Sequence, residues 1–186
     1  MEADVERVLE LVEAEGWQDL DLTPVPPDPG WRPDTSELTP GDEQLLADVA
    51  EHGWHHVHVH PREGNPMWSF SVGLFRTWGQ PDVLLSGLEM DTCHDLMNTA
   101  ADAARAGRGC APGDRSDDFV EGYEVAFLAV RPDWYASFLG YAQWFHGSSA
   151  GFPVLQLVWP DRDGRFPWEP GCTLDPAAQP LLGPAP

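Results

Sequence analysis

The stretch from Gly53 to Leu74 constrains this chain most, because it alternates along two segments around a Gly/Asn/Pro break. Successive side chains of a strand leave on opposite faces, so alternation with period two predicts strands. In the first segment Trp54, His56, His58 and His60 share one face, and His55, Val57 and Val59 take the other. In the second, Trp68, Phe70, Val72 and Leu74 oppose Met67, Ser69, Ser71 and Gly73. The Ser/Gly side is small enough to admit a ligand or another backbone. A sheet is therefore required, and one face of its first strand carries three imidazoles.

The remainder of the chain surrounds that pair. Val5, Val8, Leu9 and Val12 predict a short amphipathic helix over 3–15. Pro24, Pro26, Pro27, Pro29, Pro33 and Pro40 make 16–40 an extended connector, because proline is excluded from helix interiors. A second helix is expected over 41–52, stopped by Gly53. Further strands are expected over 82–88, 123–130 and 152–159, with Arg165 to Trp168 returning beside the last. Helices are expected from Asp91 or Thr92 to Gly107 and from Pro132 through Phe145, with a loop over 107–118. The sum is α+β: a single domain whose mainly antiparallel sheet is packed by helices, plus an acidic N-terminal helix and Pro-rich connector. The expected divisions are 1–40 for that extension, 41–172 for the globular domain and 173–186 for a Pro/Ala-rich tail with frayed ends.

Charge removes several function classes. Ten Lys+Arg against 31 Asp+Glu give −21, and there is no lysine at all. Such a surface repels phosphate backbones and anionic lipids, so neither nucleic acid nor membrane is an expected partner. Without lysine there is no Schiff base and no Walker-type or kinase lysine. Residues 1–52 hold fifteen acids and two arginines, which concentrates the acidity at the N-terminal end. The charge, small size and lack of a complete catalytic set point to a binding protein with an acidic surface for a basic protein partner, as immunity or antitoxin proteins have. No apolar run approaches the length of a membrane span and no signal-peptide pattern opens the chain, so a cytoplasmic protein is expected. Three dispersed cysteines without a Cys-x-x-Cys pair predict free thiols.

Two candidate sites follow. His-x-His on a strand sends both rings the same way, and residues i and i+2 lie about 6.5–7 Å apart, a span two imidazoles can close around one ion. His56, His58, His60 and Glu63 are the candidate ligands, with His94 as a further donor, for a divalent transition metal such as Zn, Ni, Cu or Fe. The competing expectation is that these histidines decorate an exposed edge strand. The second candidate is a small-molecule site between the aromatic cluster of Tyr141, Trp144, Phe145 and Trp159 and the Ser69, Ser71 and Gly73 face, with Gln156 as polar contact and Trp54 nearby. Gly147-Ser148-Ser149-Ala150-Gly151 has the spacing of a nucleophile elbow, but a helix precedes it and no histidine follows. Asp161-Arg162-Asp163-Gly164 has the opening of a calcium loop, but Cys172 stands where the closing glutamate belongs, so a turn is expected.

Several blocks carry a family resemblance. Gly53-Trp54-His55, Phe70-Ser71-Val72-Gly73-Leu74, Gln80-Pro81-Asp82, Gly87-Leu88 and Gly122-Tyr123 belong to it, as does Gly140-Tyr141-Ala142-Gln143-Trp144-Phe145. So do Phe152 through Asp161 and Gly164-Arg165-Phe166-Pro167-Trp168. Together they resemble an uncharacterised bacterial family, domain of unknown function 4262, over residues 41–172. The resemblance implies a small cytoplasmic α+β domain and no particular activity. The chain departs from the family at His56, His58 and His60, and at His146, where a tyrosine is expected.

Overall fold

The computed structural model describes residues 32–61, 66–147 and 151–186. The expected helix over 3–15, most of the connector and the Gly-x-Ser-x-Gly serines lie outside these residues. Helix α1 spans Pro40–His52. Thr39 caps it through a reciprocal bond with Asp42, Pro40 occupies the first turn, and Gly53 ends it at φ 89°, a left-handed conformation that only glycine takes without strain. Strands β1 (His55–Val59) and β2 (Trp68–Val72) follow, antiparallel, with His56 opposite Ser71 and His58 opposite Ser69. The chain leaves β2 at Gly73, so Leu74 belongs to a short helix, α2 (Leu74–Trp78), and not to the strand face expected for it.

Strand β3 (Asp82–Ser86) leads to helix α3 (Met90–Arg105). Strands β4 (Arg115–Val120) and β5 (Tyr123–Ala129) come next. A 3-10 turn at Pro132–Trp134 precedes α4 (Tyr135–Phe138) and α5 (Gly140–His146), and β6 is Val154–Val158. The six strands form one sheet in the order β1-β2-β3-β6-β5-β4. Only β3 and β6 pair in parallel, so the sheet is mainly antiparallel and the α+β architecture holds.

Each face of the sheet has its own core. On one, Val57, Phe70, Val72, Leu84 and Val154 meet Leu45 of α1 and Phe138, Leu139, Ala142 and Phe145 of the α4–α5 region. On the other, Val83, Leu85, Val125, Phe127, Leu155 and Leu157 meet Cys93, Leu96, Met97 and Ala100 of α3. Among the described residues no helix is long and apolar enough to cross a membrane.

Four local expectations are corrected. Residues 115–120 are a strand, not a loop; its charged sequence hid it because an edge strand with an irregular register needs little apolar surface. The helix expected from Pro132 through Phe145 breaks at Leu139, where Trp68 Nε1 donates to the Phe138 carbonyl that a continuous helix would use itself. Residues 165–168 do not return as a strand; Phe166 and Trp168 stack face to face at 4.9 Å instead. The C-terminal segment is packed rather than frayed. Leu182 is 1% exposed within the first core, and its carbonyl accepts from the Arg131 N–H.

Candidate functional site

Among the described residues, strand β1 is an edge of the sheet, flanked by β2 alone. Alternation puts His56 and His58 on the α3 side, and α3 brings His94 from near its N-terminal end to within 5.7 Å of the His56 ring centre. His56 and His58 are 6.1 Å apart, His58 and His60 5.2 Å, and Trp54 stacks on His56 at 6.4 Å. The rings therefore run in series, His94–His56–His58–His60. On the opposite face of the strand His55 Nδ1 lies 2.7 Å from the Asp48 carboxylate of α1, which ties helix to strand.

Two atoms in this series are out of the ordinary. Among the described residues, Nε2 of His56 and Nε2 of His58 are shielded from solvent and have no hydrogen-bond partner. Buried polar atoms in folded proteins are nearly always paired, so each exception calls for an explanation. Ser86 Oγ shares this condition but lies on the other side of the sheet, opposite Trp68. His58 Nδ1 is 2.7 Å from Ser69 Oγ. With that nitrogen as the donor, the lone pair of His58 sits on Nε2. Burial, reinforced by His94, His58 and His55 around it, lowers the pKa of His56 to about 4. Burial, then His60, also lowers that of His58. Around pH 7 His56 is therefore neutral, with an electron pair to offer.

A recess of about 170 Å³ opens along the same edge, lined by Gly41, His55, His56, Val57, His58 and Tyr141. Its Gly41 and Tyr141 walls come from α1 and α5, at the rim of β1. As positioned, no group of three or more His, Cys, Asp or Glu side chains among the described residues is set to hold a metal ion. Glu63 lies outside those residues, and His60 is exposed at the end of the series.

The aromatic and serine candidates do not assemble into one site. Ser69 and Ser71 are buried on the α3 side, whereas Trp144 packs on the opposite core, so the sheet separates them. Gly73 is pressed against Gly53, Val49 and Trp54. The Gln156 amide is consumed internally, donating to the Pro180 carbonyl and accepting from the Leu182 N–H. Trp159 Nε1 donates to the Ser86 carbonyl, and its backbone is clasped by Gln179. Of this set, only Tyr141 lines the histidine recess. Gly41 and His55 line it too, and were not candidate site residues; only the packing of α1 against β1 reveals them.

One polar network had no sequence signature. Asp82 is 1% exposed, and its Oδ1 accepts from Ser71 Oγ and the Leu74 N–H while its Oδ2 lies 3.2 Å from His146 Nε2. His146 is stacked on Phe152 at 4.2 Å. The carboxylate stands between serine and histidine, so this is not the order of a nucleophilic triad, in which histidine occupies the middle. Asp161, in the calcium-like turn, accepts from the Asp163, Arg165 and Thr173 N–H groups, and the Arg165 bond does most to lower its pKa to about 2. That carboxylate holds a turn, as expected.

One family model, the domain of unknown function DUF4262, matches residues 48–173. The chain belongs to this family. The DUF4262 match takes in β1 and α3, hence the whole histidine series, and stops before the C-terminal segment that completes the core. Neither a curated protein nor a solved structure matches the chain.

Proposed function

We propose that this DUF4262 domain is a binding protein whose ligand docks at the histidine edge of β1. The single observation behind this reading is the pair of shielded, unpartnered Nε2 atoms of His56 and His58 beside an open recess. Leaving such atoms unpaired costs about 1–3 kcal/mol each, a cost that a ligand supplying a hydrogen-bond donor or an electron-pair acceptor removes. Ser69, Ser71 and Asp82 are sealed in the core, and the half-buried Asp48 carboxylate is engaged by His55, which supports binding over turnover.

The test is an amide-resolved NMR screen with small hydrogen-bond donors such as amines, amides and phenols. Binders should shift Gly41, His55–His58 and Tyr141, and His56→Phe should abolish those shifts. Shifts confined to other regions, or unaffected by His56→Phe, would refute the reading.

A second reading has its own observation at the far edge of the sheet. Along β4 and the β4–β5 turn, Asp117, Asp118 and Glu121 are exposed, while Arg115 is already engaged by Glu124 and Glu169. This supports the basic-protein partner, immunity- or antitoxin-like, with an extended basic segment adding to an acidic edge. Binding of an Arg-rich peptide at low salt should weaken when Asp117 and Asp118 become Asn; indifference to both changes would argue against it.

A further inference from the structure

The histidine edge narrows its own ligand. Resting on the reading of that edge as the binding site, we propose that it takes a divalent transition-metal ion, held by Nε2 of His56, Nε2 of His58 and the imidazole of His94.

The choice of donors follows from strand geometry. His56 and His60 are four residues apart on a strand, about 13 Å between Cα atoms, too far to meet at one tetrahedral ion. A strand offers two adjacent ligands on a face, and a third must come from another element. His94 fills that place: α3 crosses the same face, its ring lies 5.7 Å from His56, and its exposed side chain is free to turn. His60 and Glu63 are thereby replaced by a residue 34 positions beyond His60 in the chain.

Imidazoles sharing a tetrahedral ion at about 2.0–2.1 Å have ring centres about 5 Å apart. The 5.7 Å and 6.1 Å separations from His56 exceed that value by about 1 Å. Rotation of the exposed His94 side chain is the movement that would bring the third ring to the ion. Metal-bound histidines usually donate their second ring N–H to a fixed acceptor, and Ser69 Oγ stands 2.7 Å from His58 Nδ1 in that role. Ser69 is fully buried, so it fixes the ring as well as the tautomer. Three nitrogen donors suit Zn²⁺, Ni²⁺, Cu²⁺ or Co²⁺ over Mg²⁺ and Ca²⁺, which require oxygen ligands. Three protein ligands leave a fourth position on the ion for an exchangeable ligand.

The experiment uses the full chain without an affinity tag, stripped by a chelator, then titrated with Zn²⁺ by calorimetry and with Co²⁺ by visible absorption. One ion per chain and a tetrahedral Co²⁺ spectrum are expected. His58→Ala and His94→Ala should each weaken binding by at least about tenfold. His60→Ala and His52→Ala should leave it unchanged. No binding at millimolar metal, or equal affinity in His58→Ala and His94→Ala, overturns the proposal. Sensitivity to His60→Ala with indifference to His94→Ala overturns the ligand set. Circular dichroism verifies folding, and His58→Gln replaces His58→Ala if the latter unfolds. Donor-molecule shifts at Gly41 and Tyr141 without any ion bound would overturn the ion and leave the edge as the site.

Discussion

The molecule holds histidine in two contrasting settings. His146, on the α5 side of the sheet, has a side chain 4% exposed and meets a carboxylate that also accepts from Ser71 and Leu74. His56 and His58, on the rim of β1, are half-buried and yet have Nε2 atoms without a hydrogen-bond partner among the described residues. Burial alone does not separate structure from function here; satisfaction of the polar atoms does. A fully paired network fixes one arrangement of the core, whereas an unpaired one is a standing cost with no structural return.

The contrast fails if mutation treats the two settings alike. Asp82→Ala should have the largest effect, because it strands Ser71, the Leu74 N–H and His146 at once. A loss of about 3–5 kcal/mol is expected by urea denaturation. A loss under 1 kcal/mol would mean that the network is not holding β2, α2 and α5 together.

The same substitution in both places sharpens the comparison. His146→Phe keeps the ring but removes a partner of buried Asp82, and should cost about 1–3 kcal/mol. His56→Phe also keeps the ring but removes a nitrogen that bonds to nothing, and should be neutral or slightly stabilising without ligand. Equal losses from the two, in melts run side by side, would erase the distinction.

The sequence made the rim more legible than the core network. Period-two alternation placed His56 and His58 on one face of β1, and the capping signals at Thr39 and Gly53 bracketed α1. Alternation cannot say what stands opposite that face. His94, considered as one donor among several, became a neighbour of His56 only through the crossing of α3. Asp82 fell at the start of the strand expected over 82–88, and its bond to a residue 64 positions away has no local signature. The aromatic and serine residues lie apart for a related reason. Tyr141, Trp144 and Trp159 are close in sequence pattern, but a sheet has two faces and the pattern does not choose between them. Strand β4 was missed because its charges suit an open edge rather than a core. The C-terminal segment looked frayed by composition, yet Gln156 and Gln179, both buried, bind its backbone and that of β6's end like short added strands.

The most direct test is long-range ¹H–¹⁵N NMR of the histidine rings in the tag-free full chain at pH 7, before and after Zn²⁺. The account predicts unprotonated Nε2 atoms on His56 and His58 that shift on addition, while His146 stays put. Protonated Nε2 atoms on both, unmoved by Zn²⁺ or by any small donor, would contradict it and return the histidines to the role of surface polar residues.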